Sequence, residues 1–578
     1  HRRWMRAGSA AFVPQGLRIS PHAPRPNVLV LLVDDMGYSD LAAYGSPNAS
    51  TPHIDALIGS GVKFTNWVSA APICTPSRAA LQTGRYPIRT GCIGNLEKYR
   101  VIPTPSNPHG LDPEQHVSMA TALKHAGYRT GMAGKWHLGI NGNTGTLSAQ
   151  DHAFTPTAHS YETYLGAPYT NAPMCAVDGD GVSQKYRSGP TYCFLMANTT
   201  VVEQPLRLEN FTRTITDFAV DFLRNQKPAT SHNEYESSPF FFLMSYFHVH
   251  TPLFTMRKNR GRSRGGLFGD NVEELDDSVG RIVQVLREEG LLNDTVIFLT
   301  SDNGPYQEEG WENSGRTNVY DAGSKQRLGR LRGGKGQVFE GGIRMPGAVV
   351  WPGVTTAGTE SDVMVSTMDI FPTVLQAAGV DLGKDYIVDG KDMTPVLRGA
   401  NASQHDVFLH YCGFNILAAR VHGRFKVFWA MQKWYTNDPK NASVCLECCN
   451  GVNPASQLVV PAAELCGCSE KDLIRFPTGE EQVFDVQSAD LTESNSLTSA
   501  NWPADAQLSR AQVISIATAE KERMEKEIHS KPNKQGAGSC TAGGPAASRQ
   551  PCCPGCRQAV PFYGQCRRRG LGGVCYCG

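Results

Sequence analysis

Three largely apolar runs, residues 28–33, 239–246 and 295–300, constrain the fold of this chain more than any other feature. Each run is apolar on both faces, which is typical of strands in a sheet that helices cover on both sides. The runs are followed by polar residues, namely Asp34 and Asp35, His248 and His250, and Asp302 and Asn303. Because open α/β sheets bind ligands at the carboxyl ends of their strands, the sequence predicts an α/β fold with a polar site at one sheet edge.

The segments around these runs indicate how the chain is organised. Residues 117–126 and 270–289 have the apolar spacing of helices, and residues 128–133 are expected to form another strand, which leads to Lys135 and His137. After residue 406 the predicted strands are shorter and cysteines accumulate, with one more helix expected near residues 505–528. We expect four regions: a loose leader over residues 1–24, a large domain over 25–405, a smaller α+β domain over 406–535, and a disulfide-rich tail over 536–578.

Composition excludes some classes of protein. The 578 residues are 40% hydrophobic and carry a formal net charge of +1, as expected of a globular chain without a nucleic-acid footprint. No apolar run approaches the roughly 20 residues that a membrane-spanning helix needs. We therefore expect neither a nucleic-acid partner nor a transmembrane segment.

Cysteines and glycosylation sequons indicate an oxidising compartment. The 17 cysteines are an odd number, and setting one aside for another role leaves 17 − 1 = 16, which could all pair. The cluster at residues 552–556 also has spacing that suits zinc, but without a nearby histidine pair disulfides are favoured. Six Asn-x-Ser/Thr sequons begin at Asn48, Asn198, Asn210, Asn293, Asn401 and Asn441. The expected location is the secretory pathway, with an extracellular or lysosomal destination.

The residues at the predicted sheet edge suit a hard cation and proton transfer. Asp34, Asp35, Asp302 and Asn303 offer oxygen ligands, which Ca²⁺ or Mg²⁺ prefers. Adjacent carboxylates repel each other unless a cation compensates them, although Asp34 and Asp35 could instead cap a helix or form a turn. Histidine has a pKa near neutral pH, so His137 and His250 suit proton transfer.

Residues 74–85, C-T-P-S-R-A-A-L-Q-T-G-R, form the most specific motif of the chain. They resemble the signature of the sulfatase family, C-x-P-S-R followed by x-x-L-x-T-G-R. In that family an enzyme of the secretory pathway oxidises the cysteine to formylglycine, whose hydrate is the nucleophile. The alternative is that Cys74 is a buried thiol or half of a disulfide beside a proline turn. The resemblance extends to D-D-x-G-x-x-D from Asp34 and to S-D-N-G-P at residues 301–305, and it covers about residues 26–430.

The resemblance implies a fold, an activity and a role for each motif residue. The fold would be alkaline-phosphatase-like, with a large mixed, mostly parallel sheet flanked by helices, and residues 25–405 would be the catalytic domain that hydrolyses sulfate esters. The implied catalytic residues are Cys74 as the formylglycine precursor, Arg78 steadying its hydrate, Lys135 and Lys335 binding sulfate, His137 as base and His250 as donor to the leaving group. The implied ligands of a cation, usually calcium, are Asp34, Asp35, Cys74, Asp302 and Asn303. Thr170 is a further candidate substrate contact.

Within the family, residues 247–254 and 410–420 look most like the steryl-sulfatase branch of the arylsulfatases. That branch has a hydrophobic membrane hairpin between the segments that correspond to His137 and His250, whereas residues 151–238 here are polar. A soluble arylsulfatase-like enzyme is therefore the expectation. A second departure is that Ser160 follows His159 where the family often has glycine.

Two other functions compete with sulfate-ester hydrolysis. A phosphatase or phosphodiesterase of the alkaline-phosphatase superfamily shares the fold, but such enzymes use serine or threonine as nucleophile, often with zinc. An inactive, secreted sulfatase-like binding protein would retain the same sequence if Cys74 stayed unmodified. The implied partners are a sulfated small molecule or glycan and the formylglycine-generating enzyme, and self-association into a homo-oligomer is left open.

Overall fold

The computed structural model describes residues 16–20, 25–46, 50–93, 110–140, 152–171, 193–226, 238–306, 331–432, 473–488 and 496–530. It also describes residues 14, 175, 468 and 493 and the backbone of four short strands. Two compact units divide between residues 517 and 518. The first contains both large sheets described below, and the second contains the end of the last helix and a two-stranded ribbon, Cys566–Arg568 with Cys575–Cys577.

A mixed sheet of eleven strands forms the centre of the first unit. In chain order its strands are β1 (Asn27–Val33), β2 (Val62–Val68), β3 (Arg129–Lys135), β4 (Thr163–Ala167), β5 (Leu195–Ala197), β6 (Thr200–Glu203), β7 (Phe240–Ser245), β8 (Thr295–Ser301), β9 (Arg344–Val350), β10 (Thr359–Ser361) and β11 (Val365–Ser366). Their spatial order is β10-β2-β9-β8-β1-β7-β3-β4-β5-β6, and β11 also pairs with β2. Strands β8, β1, β7, β3 and β4 are mutually parallel, so their carboxyl ends meet at one edge.

The central strands are buried because they are apolar on both faces. Residues 28–33 of β1 are at most 1% exposed, and β7 and β8 are buried along their whole length. The hydrophobic effect therefore requires cover above and below the sheet.

Two groups of helices supply this cover. The helices are α1 (Pro52–Gly59), α2 (Cys74–Thr83), α3 (Pro87–Thr90), α4 (Met119–His125), α5 (Leu208–Arg224), α6 (Gly266–Glu288), α7 (Glu340–Ile343), α8 (Ile370–Ala378), α9 (Thr394–Leu397) and α10 (Arg510–Ser530). Helices α1, α5 and α6 pack together, as do α2, α4 and α8. The apolar face of α5 shows how such a helix is held, because its Phe222 packs against the rings of Phe240 and Phe242 on β7.

A smaller antiparallel sheet follows in the C-terminal part of the first unit. Its strands are β12 (Val407–Cys412), β13 (Asn415–Val421), β14 (Phe425–Phe428) and β15 (Gln482–Asp485), paired in that order. The described part of this unit also contains three pairs of short antiparallel strands, each strand two or three residues long. They are Arg18–Ile19 with Val380–Asp381, Tyr320–Asp321 with Gln326–Arg327, and Ala430–Gln432 with Leu473–Arg475. The first of these pairs places residues 18–19, within the predicted leader, on the large domain.

The strands and helices expected from the sequence are present, with ends that differ by a few residues. The helix expected over 117–126 spans Met119–His125, and the one expected over 270–289 begins earlier, at Gly266. The helix expected near 505–528 spans Arg510–Ser530. The boundaries of the four predicted regions remain predictions.

The cysteines in the described part of the chain correct one expectation. Disulfides join Cys175 to Cys193 and Cys412 to Cys468, as the oxidising compartment predicts. Cys74 and Cys92 are buried free thiols. The even number left by setting Cys74 aside allowed all other cysteines to pair, but Cys92 does not, because its thiol is enclosed in the core of the large domain. The predicted cluster at 552–556 lies outside the described residues.

Candidate active site

The parallel strands bring the predicted site residues to one edge of the large sheet. Asp34 and Asp35 follow β1, His137 lies two residues after Lys135 at the end of β3, and Asp302 and Asn303 follow β8. His250 lies beyond the end of β7, and Cys74 begins α2. The side chains are all buried. Six charged residues surround Cys74, and we call them the site cluster: Asp34, Asp35, Arg78, Lys135 and Asp302, which are buried, and Lys335, whose side chain is 10% exposed.

Helix α2 places Cys74 and Arg78 one turn apart on the same face, as the sequence predicted. The Arg78 guanidinium donates from Nε to Asp302 Oδ2 at 2.8 Å, and its Nη2 lies 2.7 Å from the same oxygen. The same Nη2 lies 3.5 Å from Asp34 Oδ1. Ser77 Oγ donates to the Asp302 backbone oxygen at 2.5 Å. The start of α2 is thus fastened to the ends of β1 and β8.

Asp34 lies between the thiol and a lysine. Its Oδ2 accepts a hydrogen bond from Lys135 Nζ at 2.5 Å, and its Oδ1 is 3.7 Å from Cys74 Sγ. Burial alone raises the pKa of Asp34, but the positive charges of Lys135, Arg78 and Lys335 outweigh burial and hold this pKa well below its usual range. Asp34 is therefore a carboxylate. For Asp302, burial outweighs the neighbouring cations and raises the pKa.

Close packing of β3 against β7 brings Lys135 to this position. Gly134 has a φ of 101°, and a Cβ atom there would lie 1.7 Å from the Ser245 carbonyl oxygen. Only glycine allows this approach, which explains why glycine precedes the lysine.

Several side chains of the site meet at the carboxylate of Asp35, as others do at Asp34. Its φ of 58° is unusual for a residue with a side chain. Its Oδ1 lies 2.7 Å from Lys335 Nζ and accepts from Asn303 Nδ2 at 2.7 Å. His250 Nε2 is 3.6 Å from Asp35 Oδ2. Lys335, distant in sequence, therefore reaches the same site as Lys135.

The donor set suits a hard divalent cation. Ligand atoms of Asp34, Asp35, Cys74 and His250 lie within 4.8 Å of one another. Asp302 Oδ1 is close by, since it accepts from the Asp35 backbone nitrogen at 3.2 Å. Asn303 Oδ1 is buried and lacks a hydrogen-bond partner among the described residues, an arrangement that a bound cation would satisfy. The predicted ligands are thus together, and His250, predicted as a proton donor, lies among them.

The environment of the thiol and the imidazoles decides their protonation. Burial raises the pKa of Cys74 to about 12, although Lys135 and Lys335 oppose the shift. Burial, reinforced by Lys135 and Arg78, holds the pKa of His137 well below its usual value. Burial, followed by Lys335, lowers the pKa of His250 to about 4. The thiol is therefore protonated near neutral pH and is a weak nucleophile as cysteine, while both imidazoles are neutral.

His248 and Thr170 lie beside the site in different ways. His248 Nε2 is 2.9 Å from Thr212 Oγ1 on α5, so its imidazole is hydrogen-bonded to a helix that covers the sheet. Lys135 Nζ is 3.4 Å from Thr170 Oγ1, so the proposed substrate contact lies next to a sulfate-binding candidate.

Sequence reasoning missed two residues of the site. Ser245 Oγ accepts from Arg78 Nη1 at 2.7 Å and donates to the Lys135 carbonyl oxygen at 2.7 Å. Tyr306 has its ring nearly parallel to the His250 ring, with centroids 6.2 Å apart, and Lys335 Nζ lies 5.4 Å from the Tyr306 centroid. Ser245 is hidden within an apolar strand, whereas Tyr306 could have been found because it directly follows the S-D-N-G-P segment.

The family comparison agrees with this geometry. The model of the sulfatase family matches residues 26–380, and the model of the C-terminal region of N-sulphoglucosamine sulphohydrolase matches residues 334–433. The chain belongs to the sulfatase family. It is a sulfuric ester hydrolase of the arylsulfatase-like kind.

Relatives of known name share about a third of their residues with the chain. Rattus norvegicus steryl-sulfatase is 36% identical over 479 residues, which cover 73% of this chain and 79% of that protein. Hemicentrotus pulcherrimus arylsulfatase is 36% identical over 429 residues, which cover 74% of this chain and 71% of that protein. The likeness to the steryl-sulfatase and arylsulfatase branch is confirmed.

Solved structures show the same fold. The PsFucS1 sulfatase from a Pseudoalteromonas species aligns with a TM-score of 0.67 and 25% identity, covering 88% of this chain and 92% of its own. The BT4656 protein in complex with D-glucosamine-2-N,6-O-disulfate aligns with a TM-score of 0.53 and 17% identity, covering 88% of this chain and all of its own, 100%. The predicted alkaline-phosphatase-like architecture is confirmed.

A helix that crosses a membrane must be both long and apolar. No helix within the described ranges meets both requirements.

Proposed function

We propose that the chain hydrolyses sulfate monoesters of the arylsulfatase type through a formylglycine formed from Cys74. The observation that carries this proposal is the position of Cys74 at the start of α2, enclosed by Asp34, Arg78 and two lysines. A buried thiol whose pKa is about 12 is protonated near neutral pH, so unmodified Cys74 would be a weak nucleophile here. A hydrated aldehyde at the same position would offer one hydroxyl to attack sulfur and a second to release sulfate.

The oxygen-rich part of the site would hold Ca²⁺ or Mg²⁺. The ligands would be Asp34, Asp35, Asp302 and Asn303 together with the side chain at position 74. When bound, such a cation would offset carboxylate charge and polarise a sulfate oxygen.

The lysines would bind the sulfate group. Each lysine forms an ion pair with a different aspartate of the site. Lys135 Nζ lies 2.5 Å from the Asp34 carboxylate, and Lys335 Nζ lies 2.7 Å from the Asp35 carboxylate. Because each carboxylate orients its lysine, the two ammonium groups suit a tetrahedral anion between them. Thr170, 3.4 Å from Lys135, would contribute a hydroxyl on the substrate side.

The proton transfers fall to the two histidines, and Arg78 orients position 74. His250 would donate a proton to the leaving oxygen, and the negative charge of a bound sulfate ester favours the imidazolium that this step needs. His137, neutral in its buried setting, would accept the proton of the hydroxyl at position 74 during sulfate release.

The substrate class and the location follow by analogy with the relatives. Their names include arylsulfatases and steryl-sulfatases, so we propose a sulfated small molecule or glycan as substrate. The two disulfides and the sequons support maturation in the secretory pathway, where the formylglycine-generating enzyme would act on Cys74. An extracellular or lysosomal destination is proposed.

Mass spectrometry of residue 74 combined with an assay tests the proposal. Trypsin releases residues 64–78, in which Cys74 is the sole cysteine, from protein made in a eukaryotic secretory host. We expect a peptide mass that corresponds to formylglycine, and hydrolysis of 4-nitrophenyl sulfate that greatly exceeds hydrolysis of 4-nitrophenyl phosphate. An unmodified thiol in protein that still hydrolyses the sulfate would overturn the nucleophile, and a preference for phosphate would overturn the reaction.

A further inference from the structure

The segment that carries Lys335 is intrinsically flexible. Three of its residues are glycine, at positions 333, 334 and 336, and Gly333 and Gly336 have φ values of 78° and 88°. A Cβ atom at Gly336 would meet nothing within 4 Å, so packing does not restrain the backbone there. Glycine loses more conformational freedom on ordering than any other residue. A fixed position for Lys335 therefore requires hydrogen bonds from outside the segment.

On one side, the large domain provides two such bonds. The backbone nitrogen of Lys335 donates to the Pro305 carbonyl oxygen at 2.9 Å, next to the cation-ligand candidates at the end of β8. The backbone nitrogen of Gly336 donates to the Pro72 carbonyl oxygen at 2.7 Å, just before α2. These bonds join the segment to the nucleophile and to the end of β8.

On the other side, two side chains from the C-terminal sheet region hold the carbonyl groups. Gln432 Nε2 donates to the Gly336 oxygen at 2.8 Å, and Lys426 Nζ on β14 donates to the Val338 oxygen at 2.5 Å. Gln432 is 1% exposed and Lys426 is 0% exposed. Gln432 thus bonds the residue that directly follows the sulfate-binding candidate.

A network of buried charges keeps Lys426 in place. We call Glu340, Arg344, Arg420, Lys426 and Glu493 the buried ionic cluster. Lys426 Nζ lies 3.0 Å from Glu340 Oε1 and 2.9 Å from Glu493 Oε1. Glu493 Oε2 accepts from the Glu340 backbone nitrogen at 2.7 Å. Because a buried ammonium is stable only when it is fully paired, this network leaves Lys426 little freedom to move.

We infer that Gln432, supported by Lys426, is a positioning residue that sets where Lys335 lies in the site. The inference rests on the proposed function, because it assumes that Lys335 binds the sulfate group. The C-terminal sheet region would then determine sulfate affinity without touching the substrate. A displacement of about 1 Å is enough to weaken such a contact substantially.

Inhibition by inorganic sulfate measures this effect. Gln432→Met keeps the length of the side chain but removes the donor, so we expect the KM for 4-nitrophenyl sulfate and the inhibition constant of sulfate to rise about threefold to tenfold. We expect a smaller change in kcat. If Gln432→Met does not fold, Gln432→Asn withdraws the amide from Gly336 and allows the same measurement.

A matched control separates positioning from general stability. Asn415 on β13 lies in the same region, and its side-chain hydrogen bonds among the described residues go to the Cys468 carbonyl oxygen, at 2.7 Å, and to Arg475 rather than to the Lys335 segment. Asn415→Leu should lower the Tm as Gln432→Met does and leave the inhibition constant of sulfate unchanged. Equal shifts of that constant in both variants would overturn the inference.

Lys335→Ala distinguishes failure of the inference from failure of the proposed function. If Lys335→Ala leaves sulfate inhibition unchanged, the assignment of Lys335 is wrong and the proposed sulfate site fails with it. If Lys335→Ala weakens inhibition but Gln432→Met does not, only the positioning inference is overturned. When both weaken it, adding Gln432→Met to Lys335→Ala should give no further loss, and an additive loss would contradict the inference.

Discussion

The site cluster and the buried ionic cluster are built from the same kinds of side chain, yet the first surrounds Cys74 and candidate cation ligands, whereas the charges of the second pair mainly with one another. Each combines carboxylates with lysine and arginine, and the charged groups in both are almost fully buried. In the buried ionic cluster, Glu340 meets Arg344 at 2.7 Å and Lys426 at 3.0 Å, and it also pairs with Arg420. These cations outweigh burial and hold the pKa of Glu340 well below its usual value.

The site cluster is arranged around Cys74, the proposed formylglycine precursor. Asp34 faces Cys74 as well as Lys135, and Asn303 beside it has an oxygen without a partner among the described residues. Neutral His137 and His250 lie next to these charges. The comparison teaches that buried charge alone does not identify an active site. A candidate active site is identified when buried charges surround a candidate nucleophile and a potential cation-ligand oxygen beside them lacks a hydrogen-bond partner.

The largest expected effect is on catalysis. Cys74→Ala should reduce hydrolysis of 4-nitrophenyl sulfate by about 10⁴-fold or more, because it removes the precursor of the nucleophile. The Tm should change little, since the polar contact that the Cys74 side chain makes among the described residues is a weak one, to Asp34. Steady-state assays and thermal denaturation of the purified variant check both parts. Substantial residual turnover would contradict the nucleophile assignment.

The next effect is on folding, in the buried ionic cluster. Glu340→Gln removes the anion that three cations share, and breaking a buried pair in this way costs roughly 3–5 kcal/mol. We expect a clear fall in Tm or a loss of soluble protein. Thermal denaturation and limited proteolysis of the variant measure this change. A variant as stable as the parent protein would show that the two clusters do not differ as described.

Removal of a cation ligand should affect binding more than the apo fold. In the parent protein, Ca²⁺ at about 100 times its Kd should stabilise the fold by about 2.7 kcal/mol. Asp302→Asn should lose most of this gain, because it removes a carboxylate charge from the site. Tm titrations with Ca²⁺ and with a chelator measure the difference. An undiminished calcium effect in the variant would argue against the ligand set.

The smallest effect concerns the buried histidine His159. Burial lowers the pKa of His159 to about 4, although its hydrogen bond to the Leu111 carbonyl oxygen opposes the shift. The unfolded chain therefore takes up a proton near pH 6.5 that the folded chain accepts only near pH 4. Its stabilising contribution is complete above pH 6.5 and is lost as the pH falls, by about 1 kcal/mol between pH 7.5 and pH 5.5.

The variant His159→Gln tests this dependence. Its Tm difference from the parent protein should become smaller as the pH falls from 7.5 to 5.5, because glutamine does not titrate. A Tm difference that is independent of pH would show that His159 does not contribute in this way.

Much of the fold and of the site could be predicted from the sequence for local reasons. The apolar runs at β1, β7 and β8 predict buried parallel strands because burial on both faces leaves no place for polar residues. The motifs name Cys74, Lys135 and Asp302 because their spacing is specific. Ser160 has a φ of 70°, in the left-handed region that glycine adopts most easily. This backbone conformation explains why glycine often occurs at this position in the family.

Other features depend on pairs of residues that are far apart in the chain. Lys335 reaches Asp35 across 300 positions, and Gln432 reaches Gly336 across 96. No local pattern predicts such contacts, since strand order and loop path decide them. The free thiol of Cys92 is a similar case, because pairing depends on which cysteines come within about 7 Å between Cα atoms.

The sequence by itself predicted the strands, the helices and the candidate site residues, because periodicity, composition and motif spacing are local properties. The tertiary structure alone decided which charges became a site and which became a structural anchor. The physical reason is that a carboxylate or an ammonium group has no role of its own in an extended chain. Its role follows from the charges, the donor oxygens and the nucleophile that folding brings within about 4 Å of it.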